Sequence, residues 1–129
     1  NKGTPQITVE EVYKWNPDRI YITNFSSALP EDLYNNTFQN YDWSNIRAVK
    51  EKNVFKMPLG IYRWYVTNTD SPLTLLWLAK EHHPALFSDI NVTQEIKDFY
   101  KSFYKIALTD YDIKEIYPAK REASGGIKN

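Results

Sequence analysis

The sequence predicts an α/β domain, a small and mostly parallel sheet of few strands flanked by helices. Three observations predict it. Two short runs, RIYITNF (Arg19 to Phe25) and VFKM (Val54 to Met57), are rich enough in β-branched and aromatic residues to read as strands. The chain between Phe25 and Val54 exceeds the dozen residues that a parallel crossover requires, so a right-handed βαβ unit connects them. Five further stretches carry helix-start chemistry, described in order below. With 129 residues, 42% of them hydrophobic, the chain is long enough for one domain burying about two-thirds of its unfolded surface.

Asn1 to Gln6 reads as a lead-in. Thr8 and Glu11 then form the S/T-x-x-E capping box of a short helix, with Ile7 and Val12 placed for a hydrophobic staple and Val9, Val12 and Tyr13 on one face. Trp15-Asn16-Pro17-Asp18 ends it, because Asn tolerates the left-handed conformation and Pro cannot continue the ladder. After the first strand, Ser26 to Asn36 holds a modest helix with Pro30 near its start, Leu33 and Tyr34 as apolar contacts and Asn35-Asn36 as its stop. Tyr41 to Val49 brings Trp43, Ile46, Ala48 and Val49 toward a core, and Lys50 to Asn53 is a polar turn into the second strand.

A loop rich in aromatics follows, then a helix opened by Ser71 and Pro72. Ser71 can accept from a free first-turn N–H, and Pro72 suits the first helical position, where no partner is missed. Leu73, Leu75, Leu76, Trp77, Leu78 and Ala79 make this helix too apolar for a one-sided surface helix, so it is expected to be covered on several sides. Lys80, His82 and His83 sit in its last turn, where positive charge suits the dipole, and Pro84 stops it. Asn91 and Gln94 cap the clearest amphipathic helix, with Val92, Ile96, Phe99, Tyr100 and Phe103 on one face. A last short helix starts at Thr109, boxed by Asp112 and stopped by Pro118, and from Lys120 to Asn129 a frayed tail is expected.

Several function classes are excluded or left without support. Sixteen basic and sixteen acidic side chains cancel, so no basic field gathers nucleic acid. Without cysteine there are no disulfides, thiolate nucleophiles or cysteine zinc sites. Glycine is too scarce for a G-x-G-x-x-G or P-loop phosphate cradle, and no serine sits in a G-x-S-x-G elbow. His82-His83 lacks the spacing of a metal site, and Asp110 with Asp112, like Glu31 with Asp32, reads as first-turn helix carboxylates. No catalytic residue and no metal ligand is predicted. The first residue is Asn1 rather than Met, so a processed chain or an excised fragment is expected.

The strongest binding signal is Tyr62-Arg63-Trp64, just beyond the second strand. The carboxyl ends of strands in open α/β sheets are where ligands sit, and an arginine fork flanked by aromatic rings can grip an oxygen-rich anion or stack on a flat ligand. In the competing reading, Tyr62 and Trp64 are core and Arg63 only covers them with its stem.

The runs WNPDRIYI, AVKEKNVFKMPLGIYRW, SPLTLLWLAKEHHPALF and DFYKSFYKIALTDYDIKEIY, in that order, resemble the C-terminal lobe of substrate-binding proteins serving ABC importers of iron-siderophore complexes, haem and cobalamin. The resemblance runs from about Ile7 to Tyr117. It implies a Rossmann-like lobe, residues 1–119, from a two-lobe class III binding protein whose N-terminal lobe is missing, with residues 120–129 as tail. It implies capture of a ferric siderophore, haem or cobalamin without chemistry and without a cofactor, docking on an ABC permease in the cytoplasmic membrane, and an extracytoplasmic, lipid-anchored full-length protein. On this likeness Tyr62, Arg63 and Trp64 face the cleft, Asn24 and Phe25 reach it from the earlier strand, and Asp70, before the Ser-Pro helix start, contacts the permease. Two other readings stay open: a stand-alone interaction domain using the Tyr62 to Tyr65 patch, and the non-catalytic half of an α/β enzyme.

Overall fold

The computed structural model describes residues 6–118, 120 and 121. The elements run α1 (Val9–Trp15), β1 (Ile20–Ile22), α2 (Pro30–Tyr34), α3 (Arg47–Lys50), β2 (Val54–Lys56), α4 (Ser71–His82), α5 (Val92–Phe99), a π-helical turn (Tyr100–Tyr104) and α6 (Asp110–Ile116). Where the sequence predicts one lobe, the chain divides into two compact units. Residues up to Lys56 together with Arg121 form one, and Met57–Lys120 form the other.

In the first unit the two strands pair in parallel, with Ile20 opposite Val54, Tyr21 opposite Phe55 and Ile22 opposite Lys56. This is the parallel pairing expected from the length of the crossover, though β1 is shorter than the RIYITNF run. A turn at Thr23 to Ser26 takes the chain out of the strand, with the Ser26 N–H donating to the Thr23 carbonyl at 3.2 Å. Strand alternation puts Ile22 and Val54 into a core with Ala28, Leu33, Trp43, Ile46, Ala48 and Val49. Each large aliphatic side chain so buried contributes about 1.5–3 kcal/mol relative to exposure. Tyr21 and Phe55 stack with ring centroids 5.3 Å apart.

Local polar groups tie the loops of this unit to its core. The Thr8–Glu11 capping box is formed, and Asn16 ends α1 in the left-handed region at φ 44°. The Asn16 side-chain oxygen also accepts from the Arg47 N–H at 2.8 Å, and Trp43 donates its indole N–H to the Phe38 carbonyl at 3.0 Å. Lys56, at the end of β2, donates its ammonium to the carbonyls of Thr23, Ser26 and Ala28 at 3.0, 2.5 and 2.9 Å. Those three contacts close the loop between β1 and α2. Asp32 accepts the Leu29 N–H at 2.8 Å and is gripped at both oxygens by Arg121, each at 2.8 Å. The rest of the tail expected after Lys120 lies outside the described residues.

In the second unit Met57, Trp64, Leu73, Ile96, Tyr100, Ile113 and Tyr117 are buried. Asn91 caps α5 and the Thr109–Asp112 box caps α6, as their sequence spacing predicts. Two expectations need correction. Leu73 and Thr74 are the buried residues of α4, while Leu75 is 69% exposed and Leu76 to Ala79 are half-buried, so its apolar flank is not covered on several sides in this chain. The α5 stripe also fails at its end: the wider π-helical turn breaks the α-helical register, leaving Phe103 71% exposed while Tyr104 is half-buried. Among the described residues no helix is long and apolar enough to cross a membrane.

Candidate functional site

The loop after β2 is shaped by its backbone before its side chains matter. Gly60 stands at φ +58°, in the left-handed region, and a Cβ there would lie 2.2 Å from the Trp64 Nε1 and 2.7 Å from the Asp70 Oδ2. Arg63 is also left-handed, at φ 45°. An arginine takes up that conformation only when its surroundings hold it there. The holding group is Asn68, whose side-chain amide donates to the carbonyls of Tyr62 and Val66, both at 2.7 Å, with that of Arg63 at 3.4 Å. Trp64 in turn returns its N–H to the Pro58 carbonyl at 3.2 Å.

Beneath the loop lies Asp70, which is completely buried. Its Oδ2 accepts from the Ile61 N–H at 2.8 Å, the Tyr100 hydroxyl at 3.1 Å and the Trp64 indole N–H at 3.3 Å. Its own N–H donates to the Asn68 Oδ1 at 2.7 Å, so the two side chains form one frame. Burial, with the neighbouring Asp70 adding to it, pushes the Tyr100 hydroxyl up to about 12, and it remains a donor throughout the physiological range. Burial raises the Tyr117 hydroxyl as well.

This frame separates the predicted site residues into two kinds. Trp64 is 2% exposed, packed edge-on against Trp77 and against Tyr117, whose ring centroid is 4.9 Å away. In this chain its ring is packed into the second unit rather than exposed on the loop. Asp70, expected to contact the permease, is buried in this chain, with three donors on its Oδ2 and none on its Oδ1 among the described residues. Nor does Ser71 cap α4 as expected. Asp70 occupies the cap position, while the Ser71 hydroxyl donates back to the Asn68 carbonyl at 2.7 Å. Tyr62 is exposed and Arg63 half-buried, and the loop adds two exposed neighbours that sequence reasoning did not single out as ligand contacts, Ile61 and Tyr65. Asn24 and Phe25 belong to the first unit. Asn24, expected to reach the ligand, is wholly buried there, and Phe25 is exposed.

Other places are poorer candidates. A groove of about 430 Å³ in the first unit is lined by Ile20, Ile22, Leu33, Phe38 and Trp43 among others, and offers hydrocarbon rather than directional polar groups. Among the described residues no group of three or more histidine, aspartate or glutamate side chains is placed to hold a metal ion.

No protein-family model matches the chain. Among solved structures, a periplasmic solute binding protein from Veillonella parvula superposes with a TM-score of 0.81 at 39% identity, over 90% of this chain and 36% of that one. Its structural neighbours are periplasmic solute-binding proteins. The nickel-bound CeuE of Helicobacter pylori gives a TM-score of 0.64 at 30% identity, covering 87% of this chain and 34% of that one. The molybdate-binding protein MolA of Haemophilus influenzae is 33% identical over 106 residues, 81% of this chain and 29% of that protein. The chain thus spans about a third of the length of the relatives it matches. The small parallel α/β architecture and the likeness to part of a binding protein agree with the resemblance carried by the four sequence runs. The iron ligand does not gain the same support, since the bound species named for these relatives are molybdate and nickel.

Proposed function

We propose that this chain is part of the solute-binding component of an ABC importer, and that its Ile61 to Tyr65 loop touches the solute. One observation carries the reading. Tyr62 and Tyr65 are exposed and Arg63 is half-buried on a loop tied down by the Ile61 N–H to Asp70 hydrogen bond and by the Asn68 amide on the Tyr62 carbonyl. A guanidinium and phenolic hydroxyls on one loop suit an oxygen-rich anion or a metal chelate presenting anionic oxygens, because charge-assisted hydrogen bonds are the strong ones. A ferric siderophore belongs to that class, as does an oxyanion such as the molybdate of MolA. The role is capture without catalysis, outside the cytoplasmic membrane, with a permease as partner and a lipid anchor on the full-length protein.

The test is a calorimetric titration of the protein containing this chain with molybdate, with nickel(II) plus histidine, and with a ferric catecholate. For the species that wild type binds, Arg63→Ala is expected to weaken affinity at least tenfold, about 1.4 kcal/mol. Unchanged affinity removes the loop from the binding surface.

A further inference from the structure

The sequence suggests no link between Asp70, the residue before a helix, and Tyr100, one member of an apolar stripe. The structure joins them across 30 residues. One carboxyl oxygen gathers the Ile61 N–H, the Trp64 indole N–H and the Tyr100 hydroxyl. Two of these donors flank Tyr62 and Arg63 in the chain, and the third comes from the π-helical turn after α5. That turn matters because π-helical insertions occur often at functional sites.

We propose that Asp70 and Tyr100 are positioning residues, a buried latch that holds the Tyr62–Arg63 segment in its binding form before any solute arrives. Three facts carry this. The segment is in a conformation its own residues do not favour, with Arg63 left-handed at φ 45°. The donors on either side of it, the Ile61 N–H and the Trp64 indole N–H, are both held by the Asp70 carboxyl, and the Trp64 bond is buried, where losing it is costly. Asp70 and Tyr100 are themselves 0% and 5% exposed, so neither touches solute and both act through the loop. Holding a loop in its bound form raises affinity by removing the ordering cost at binding. The Asn68 amide completes the latch from the carbonyl side of the same segment. The latch rests on the reading of this loop as a solute contact, and its test has a readout independent of that reading.

The variant is Tyr100→Phe, which removes one hydroxyl and keeps the ring, with Asp70→Asn as the second should the first fail to fold. In the protein containing this chain, amide hydrogen exchange at Ile61 is expected to accelerate at least about tenfold while exchange at Ile113 in α6 stays near wild type. Equal acceleration at both sites reports general loosening and overturns the latch, and so does no acceleration at either. Binding of molybdate and of nickel(II) with histidine is then measured for wild type, Tyr100→Phe, Arg63→Ala and the double variant. The latch predicts affinity loss of about tenfold in Tyr100→Phe and no further loss when it is added to Arg63→Ala, because both act through one loop. Additive losses overturn it. If Arg63→Ala binds as wild type does, the solute reading fails, and the exchange result alone still decides whether the loop is latched.

Discussion

Replacing Gly60 by alanine tests the geometry on which the loop depends. A Cβ at this position would sit 2.2 Å from the Trp64 Nε1, 2.6 Å from its Cδ1 and 2.7 Å from the Asp70 Oδ2. Neither neighbour can yield cheaply. The indole is wedged against Tyr117 and Trp77, and the carboxyl is wholly buried. The left-handed φ of +58° adds about 1–2 kcal/mol for a residue with a Cβ. Breaking the Trp64 to Asp70 hydrogen bond leaves a buried polar group unpaired, at a further cost of about 1–3 kcal/mol. Against this, alanine stiffens the unfolded chain and returns about 0.4–1 kcal/mol. The net loss is about 3 kcal/mol. Native-state hydrogen exchange reads it locally, at the Thr74 and Ile113 amides of the second unit, which bond to the Asp70 and Thr109 carbonyls. Their exchange should accelerate about a hundredfold. A loss under about 1 kcal/mol would refute the close contact of Gly60, Trp64 and Asp70.

Two further outcomes concern the first unit. Lys56→Met keeps the stem but removes the ammonium shared by the Thr23, Ser26 and Ala28 carbonyls, so a stability loss of about 2–3 kcal/mol is expected in chemical denaturation; a neutral result would show that those carbonyls are satisfied by water. Arg121, bonded to Asp32, holds that carboxyl below its usual range. A lowered folded pKa means the pair stabilises above the unfolded value near 3.8 and is lost as pH falls through the folded one. Arg121→Ala should therefore cost up to about 1 kcal/mol at neutral pH and nothing at strongly acidic pH, and a pH-independent effect would contradict the linkage.

How much of this was legible depended on how far each interaction reaches along the chain. Thr8–Glu11, Asn91–Gln94 and Thr109–Asp112 span three residues each, and all three caps form as their spacing predicts. The parallel pairing was legible from the length of the connection. The hydrogen bonds of Asp70 are not legible, because its partners Ile61, Trp64 and Tyr100 lie 9, 6 and 30 residues away and its position before a helix reports only the dipole. Phe103 was misplaced because a helical stripe assumes one uniform turn, and the π-helical turn breaks it after Phe99. The apolar run of α4 suggests an interior helix, yet hydrophobicity alone does not say whether the covering surface lies in this chain. On the loop itself Tyr62 is exposed and Arg63 half-buried, whereas Trp64, its neighbour in sequence, is buried, a difference that adjacency along the chain does not report.

Whether the Arg63 loop contacts the solute is measured most directly by the affinity of the Arg63→Ala variant. The comparison is with wild type and with Arg47→Ala, a second arginine that pairs with Asp18 in the other unit. The account predicts that Arg63→Ala loses at least tenfold in affinity while Arg47→Ala binds as wild type. Equal affinity for all three proteins, or equal losses in both variants, would contradict it.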